Sequence, residues 1–439
     1  MYLHGTARVN SLGHLEIGGC DCTQLAEQYG TPLYVYDEWL IREKCRRYVR
    51  ACKKSAIPFK IAYASKALSI KAICQIVQEE GLHIDVVSGG ELYTALSVGF
   101  PPSRIHFHGS NKSEEEIEFA LTADIGCFVV DNFYELTMLD RLAKKHQKIV
   151  PILLRIAPGV ESGTHEYIST GRQDSKFGFD VATNQAYEAV NTALKLSSLH
   201  LLGLHSHIGS QIFDKKRFES VIVIMAKFLD TIRLSLSFTA EVLNVGGGLG
   251  IRYHQEDTPL SEEEYIQAIM DTVKESFQTI NYPVPEIWIE PGRSIVGEAG
   301  TTLYKVGAIK EVPGICKYVS VDGGMTDNLR PALYQAKYEA MIVNKALCPD
   351  EETVTIAGKC CESGDILIKD VCVPKVQSGD LLAMFCTGAY GYSMASNYNR
   401  ILRPPIIFVK DEKSTLVVER ETYQDLLIRE HGIYINNVY

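Results

Sequence analysis

The sequence predicts an α/β fold: a (β/α)8 barrel of the TIM type, joined to a second, all-β domain (sandwich or barrel). Three observations lead there. From about residue 55 to residue 290, short β-branched or apolar runs alternate with amphipathic helical stretches. The residue types that carry chemistry fall just past the C-terminal ends of those runs. Beyond residue 300 the helical periodicity gives way to short β segments punctuated by turns.

The strands expected are Phe59–Tyr63, Leu82–Val87, Ile105–His108, Cys127–Val130, Val150–Ile156, Leu201–His205, Val242–Val245 and Ile287–Ile289. Between them lie helical patterns such as "SIKAICQIVQEE", "GGELYTALSVG", "SEEEIEFALTAD", "NFYELTMLDRLAKKH" and "FESVIVIMAKFLDTIRL". Ser113 and Glu116 have capping-box spacing at the head of the third. Eight strands with seven or eight intervening helices is a barrel count; a doubly wound open sheet is the alternative. Lys66, Ser88, Gly109, His207, Gly246–Gly248 and Glu290–Arg293 all follow strand ends, and a barrel gathers those ends on one face. That coincidence favours the barrel, over 38–300. The second domain takes 301–439, with β segments such as "TTLYKVGAIKEV", "KYVSVDGG", "TVTIAGKCC", "DILIKDVCV", "LLAMFCTG" and "PIIFVK", completed by 1–37, which holds the β-like "LHGTARVN" and "HLEIGG".

Composition limits the function classes. A chain of 439 residues is too long for one ordinary core. A net charge of −10 argues against a nucleic-acid or anionic-membrane partner. No apolar run approaches the roughly 20 residues of a membrane span, and "MYLHGTARVNSLGHLEIGG" lacks leader architecture. Twelve cysteines without framework spacing read as reduced thiols, hence a cytoplasmic protein. Cys360 and Cys361 are adjacent, with no further ligand types nearby at metal spacing, so no metal site is expected.

The candidate residues are chosen for what their types can do. In "YASKALS", Lys66 sits at a strand-to-helix turn among small and apolar residues; desolvation there would favour a free amine for Schiff-base chemistry. A plain surface lysine is the alternative. "NVGGGLGIRY" is a triple-glycine turn suited to a phosphate nest, and it lacks the spacing of a nucleotide loop. "WIEPGRS" carries Glu290, able to pair with a pyridinium nitrogen, and Arg293, able to grip an anion in a fork; a structural ion pair between the two is an almost equally cheap explanation. In "LHSHIGSQ", His207 can stack on a ring and Ser210 can reach a phosphate, though a histidine in an apolar run is also a common core residue. Together, a lysine, a phosphate nest, an acid and a stacking histidine on one barrel face describe a pyridoxal-phosphate site.

Ten stretches then resemble, in order, the motifs of the diaminopimelate decarboxylase family: "YASKA", "DVVSGGE", "HFHGSNKS", "RIAPGVE…SKFGFD", "HSHIGSQ", "NVGGGLG", "EPGRS", "DGGMTDNLRPALY", "CCESGD" and "TGAYGYSMASNYN". That family belongs to the barrel-type (fold type III) pyridoxal-phosphate enzymes, with ornithine decarboxylase and alanine racemase. The resemblance spans residues 3 to 425 or so. It implies that Lys66 holds the cofactor covalently, Glu290 pairs with its ring nitrogen and His207 stacks on its face. Ser210, Gly246, Gly247, Gly248, Gly292 and Tyr390 would cradle the phosphate. Arg293, Arg330 and Tyr334 would hold the distal carboxylate of meso-2,6-diaminopimelate, and Glu362 its distal ammonium. Cys361 would enter the site of the second subunit of a homodimer; Cys361 and Lys66 are the two candidate proton donors after CO2 leaves. Cys360 inherits no role and is expected as a small hydrophobe on the far face of a strand.

The expected activity is therefore decarboxylation to L-lysine and CO2. A charge-assisted contact to a carboxylate contributes on the order of 1.5–3 kcal/mol. Arginines left unpaired by a substrate lacking that group would discriminate by about 10⁴-fold. The rivals are a decarboxylase of arginine, ornithine or a carboxylated polyamine, an amino-acid racemase, and a non-catalytic pyridoxal-phosphate-binding homologue. The stretch 162–178, "SGTHEYISTGRQDSKFG", is a candidate lid.

Overall fold

The computed structural model describes residues 2–160 and 176–433. Its contacts divide the chain into two compact units, Ile41–Arg252 with Glu256–Gly297, and the chain up to Leu40 with Tyr253–Gln255 and everything from Glu298 onward. Most of the candidate lid, 162–175, lies outside the described residues.

The first unit is a closed parallel barrel. Phe59–Ala64, His83–Val86, Ile105–Phe107, Cys127–Val130, Val150–Ala157, Leu199–His205, Val242–Asn244 and Glu286–Ile289 follow one another around it. The eighth pairs with the first, Trp288 opposite Lys60, and no edge remains. Every strand lies within two residues of its expected bounds, because each was marked by both an apolar run and a following turn. The open-sheet alternative is thereby excluded. Gly203 lets the sixth and seventh strands close: a Cβ there would fall 1.9 Å from the Val242 carbonyl oxygen.

The helices follow their caps and apolar stripes. Glu114–Thr122 opens on the Ser113–Glu116 capping box that the spacing predicted. Lys215–Leu236 runs a turn longer at its start than its apolar stripe suggested, because the Asp214 carboxylate accepts from the Lys216 N–H and extends the helix upstream. Ile222, Met225, Leu229 and Ile232 recur at three- and four-residue spacing there, and all are buried.

Alternation sends every second strand residue into the lumen. Trp288 of the eighth strand stacks on His106 of the third at 4.4 Å and 15°. Those strands are not neighbours, so the contact crosses the interior. His106, Trp288 and the partner of His106, His83 (Nδ1 to Nε2, 3.2 Å), form a lower layer. Residues two further along, Asp85, His108 and Glu290, form the layer above, at the C-terminal ends.

The second unit is mostly β rather than all-β, since short helices Cys22–Tyr29, Arg330–Tyr334 and Tyr423–Leu427 belong to it. Its spine is the 13-residue strand Gly300–Val312. The first half pairs with Leu33–Asp37 and Leu381–Met384, the second with Cys316–Val321. Outward from these lie Glu352–Ala357 and Ile366–Val373 on one side, Ile406–Lys410 and Lys413–Val418 on the other. Leu33–Asp37 carried no signal in the sequence pattern: all five residues are buried, so no alternation marks it. The β-like N-terminal piece forms a separate small sheet, Arg8–Val9, Leu15–Ile17 and Cys20–Asp21.

One buried ion pair ties the loop after the third barrel strand to the fourth strand and the helix that follows it. The Lys112 ammonium donates to Glu135 Oε1 at 2.6 Å and to the carbonyls of Gly109 and Val129, each at 2.9 Å. Lys112→Met leaves the Glu135 carboxylate buried without its countercharge, so the barrel should lose about 3–5 kcal/mol. Adding Glu135→Leu removes the stranded charge and should restore most of the thermal midpoint; a double variant less stable than the single one would contradict this account.

Candidate active site

Glu290 occupies the centre of the upper lumen layer, 7 % exposed. Its Oε1 accepts from Asn244 Nδ2 at 2.5 Å and stands 2.9 Å from His108 Nε2; its Oε2 meets His205 Nε2 at 3.1 Å. Burial opposes its charge, yet His108 and His205, ranged against the two oxygens, hold the carboxyl well below the usual carboxylate range. Burial also lowers His108 to about 4, so at neutral pH it enters as a neutral imidazole. Asp85, in the same layer, goes the other way: burial, then the charge of Glu290, raise it well above its ordinary value. Two carboxyls in one layer are thus kept in opposite states, the pattern of sites that divide charge between acids. Donor atoms of His108, His205 and Glu290 all lie within 4.8 Å of one another, a set that could also ligate an ion.

Around this centre stand the groups read from the motifs. Lys66 lies in the 3-10 turn Ser65–Ala67 after the first strand. It is exposed, so the expectation of a lysine enclosed by apolar side chains is not met; the small residues beside it, Ser65 and Ala67, are the buried ones. The Lys66 charge is felt at Asp85, Glu91 and His207. His207 is half-buried, and its Nδ1 accepts from the Gly247 N–H at 3.3 Å. Burial, then Lys66, hold its imidazole well below the ordinary value. Ser210 Oγ accepts from Nε and Nη2 of Arg293 at 3.1 and 2.9 Å. Glu290 is held by the two histidines and Asn244, Arg293 by Ser210.

The glycines are there because backbone fills the space a side chain would need. Gly246 has φ +71° and Gly248 φ +114°. A Cβ at Gly247 would lie 2.0 Å from the Glu290 carbonyl oxygen. Gly292 packs against Ala64 and Ala67, on either side of Lys66. Ser88 and Gly109 have local work instead: Ser88 caps helix Gly89–Leu96, and the Gly109 carbonyl accepts from Lys112. The barrel therefore gathers Lys66, His207, Ser210, Gly246–Gly248, Glu290, Gly292 and Arg293 on the face where its strands end.

The remaining candidates lie in the second unit. Arg330 is 5 % exposed, its guanidinium 4.6 Å from the Tyr253 ring centre; Nη1 donates to the Tyr338 hydroxyl. Its Nε has no partner among the described residues; burial opposes its charge, which Tyr253 and Tyr338, and to a lesser degree Tyr390, favour. Tyr334 ends the short helix Arg330–Tyr334 and is half-buried; Tyr390 is half-buried with φ +60°. Cys361 and Glu362 are exposed on the turn after strand Glu352–Ala357. Cys360 is on that turn too, half-buried, so its expected place on a strand face is corrected: the strand stops at Ala357.

Sequence reasoning gave no role to His108, His205, Asn244 or Asp85. Both histidines stood inside the motifs, His205 two residues before His207 and His108 one residue before Gly109; alternation along each strand from its inward-facing residues is the signal that would have found them.

A family model described as pyridoxal-dependent decarboxylase, pyridoxal binding domain, matches residues 40–297. The chain belongs to that family. It is 57% identical to the diaminopimelate decarboxylase of Bacillus subtilis (strain 168), covering 97% of both chains. It is 48% identical to that of Staphylococcus aureus (strain COL), over 97% of this chain and 99% of the other. A crystal structure of diaminopimelate decarboxylase from M. jannaschii in co-complex with L-lysine superposes with a TM-score of 0.90, at 37% identity, covering 97% of this chain and 98% of that one. The barrel face fits a pyridoxal group on its own chemistry. It presents a primary amine, a buried carboxylate kept ionised, and a turn whose Cβ positions are already filled by backbone.

Beneath the Arg330 segment, the Asp327 carboxylate accepts from the Tyr304 hydroxyl and from the Gly324 N–H at 2.8 Å. Burial pushes this acid up to about 7, against those hydrogen bonds. With an unfolded value of about 3.9, the native state binds the extra proton, so the contribution of Asp327 to stability falls as pH rises from about 4 to 7. Asp327→Asn should therefore gain thermal midpoint relative to the unsubstituted protein across that window. A midpoint difference that stays flat with pH would refute the raised value.

Proposed function

We infer that the chain decarboxylates meso-2,6-diaminopimelate to L-lysine and CO2. What carries this reading is the 57% identity to a curated diaminopimelate decarboxylase across 97% of both chains. Bound pyridoxal phosphate supplies an aldehyde that captures the substrate's amine and a ring that accepts the electron pair left when CO2 departs.

The residues divide the rest. Lys66 would hold the cofactor through its amine. Glu290, kept ionised in the lumen, favours a protonated ring nitrogen, which makes the ring a better acceptor. His207, a half-buried imidazole held neutral, would stack on a cationic ring without repelling it. Gly246–Gly248, Ser210, Gly292 and Tyr390 hold the phosphate. Arg330, with an unpartnered buried Nε, takes the distal carboxylate together with Arg293 and Tyr334. Glu362 takes the distal ammonium. Cys361 Sγ or Lys66 Nζ returns a proton to the carbon that loses CO2.

Cys361 and Glu362 are exposed on their own unit, which supports a homodimer in which they serve the partner's site. The described cysteines form no disulfide, which supports a reducing, cytoplasmic setting. No helix among the described residues is long and apolar enough to cross a membrane.

CO2 release from meso-diaminopimelate should exceed that from ornithine, arginine or L-lysine by about 10⁴-fold in kcat/KM. Equal or better use of any of those three would overturn the substrate. Lys66→Ala should keep its fold and lose both turnover and the cofactor's lysine-bound absorbance. Mixing inactive Lys66→Ala and Cys361→Ala proteins should regenerate activity as subunits exchange; silence after demonstrated exchange would rule out a shared site.

A further inference from the structure

We infer that Asp365 is a positioning residue for the reaction: its carboxylate fixes the place of Cys361 and Glu362 by tying their turn to the loop that leads to Arg330. The inference rests on the proposed roles of those three residues and goes beyond them, since none of those roles involves Asp365.

Asp365 is 3 % exposed, while Cys361, Glu362, Ser363 and Gly364 just before it are all exposed. Its Oδ1 accepts from the Met325 N–H at 2.6 Å and its Oδ2 from the Cys360 N–H at 2.8 Å. Met325 lies five residues before Arg330, so one carboxylate bridges both loops. Its own backbone closes the turn: the carbonyl accepts from the Gly358 N–H at 2.9 Å, and the N–H donates to the Glu362 carbonyl at 3.1 Å. Lys359 N–H donates to the Gly323 carbonyl at 2.9 Å, a second tie between the same loops.

The space around the carboxylate is built for it. A Cβ on Gly358 would fall 2.2 Å from Oδ2, and one on Gly324 2.5 Å from the same atom. Asn399 Oδ1 then takes the Cys361 N–H at 2.7 Å. Consecutive N–H groups, at 360 and 361, are thus captured by different side chains, and that sets the peptide plane from which the Cys361 side chain springs. The Cys360 thiol rests beside Asp365; burial, then that charge, push it up to about 11. It stays protonated and helps enclose the carboxylate, which accounts for the first cysteine of the pair.

An asparagine at 365 keeps one acceptor and turns an NH2 toward a backbone N–H, so one tie is lost with little change of volume. In the full-length holoenzyme, Asp365→Asn should cut kcat/KM for meso-diaminopimelate by about 10²-fold, the cost of misplacing a reacting group by an ångström. Cofactor absorbance and thermal midpoint should hold. In a Glu362→Gln background the same change should cost several-fold less, because a residue that acts through the turn has less left to position. Wild-type kinetics in Asp365→Asn, while Cys361→Ala and Glu362→Gln are impaired, would overturn the inference and leave the functional reading intact; so would strictly additive losses. Unimpaired Cys361→Ala and Glu362→Gln would instead remove the reading beneath it, and the inference with it. Asp365→Ser is the second variant. Loss of fold and cofactor in both would make Asp365 a purely structural residue, and that too overturns the proposal.

Discussion

An ionised carboxylate inside a barrel is the constraint on which the catalytic face depends. Leaving a charge in a low-dielectric interior costs several kcal/mol unless hydrogen bonds and partners replace its water. Glu290 has Asn244, His205 and His108 around its two oxygens. Three strands must therefore bring polar residues inward at one level, where a barrel would otherwise place branched apolar ones. The Glu290 N–H donates to the Gly246 carbonyl at 2.8 Å, and the Asn244 side chain that serves the carboxylate also accepts from the Gly246 N–H at 2.9 Å. The acid and the glycine turn are consequently one hydrogen-bonded assembly. Moving the carboxylate would move the nest.

The second unit solves a similar problem differently. Asp365 and Asp327 are both nearly fully buried, and both bind backbone N–H groups of the segment 323–328. Asp365 reaches two loops and so behaves as a clamp. Asp327 is bracketed by tyrosines: its carboxylate takes the Tyr304 hydroxyl and its carbonyl the Tyr34 hydroxyl. The N-terminal strand carrying Tyr34 therefore helps hold the segment that leads to Arg330.

How much of this the sequence disclosed follows from the kind of signal each feature leaves. Barrel strands and their helices leave periodic patterns, so their bounds were legible almost to the residue. The positions of Lys66, Glu290 and the glycine turn were legible because each closely follows a strand that the pattern marked. The supports were not. Asn244, His205 and His108 act by pointing inward at a shared level, and a level is a property of register between strands distant in sequence. Leu33–Asp37 was silent for a related reason: a strand buried on both faces has no polar beat to betray it.

The double cysteine shows the limit most plainly. Cys360 and Cys361 are the same residue type, one bond apart in sequence, in a turn no periodicity describes. What separates them is which N–H each surrenders and to whom: Asp365 takes one, Asn399 the other. The first thiol is left half-buried against a carboxylate and stays protonated; the second is left exposed. Were a thiol rather than Lys66 to give the proton, as the proposed function allows, it would need access and a fixed origin, and only the second has both. The hydrogen bonds of the backbone tell the two identical side chains apart, and those bonds are made by residues 5 and 38 positions further along, at 365 and 399.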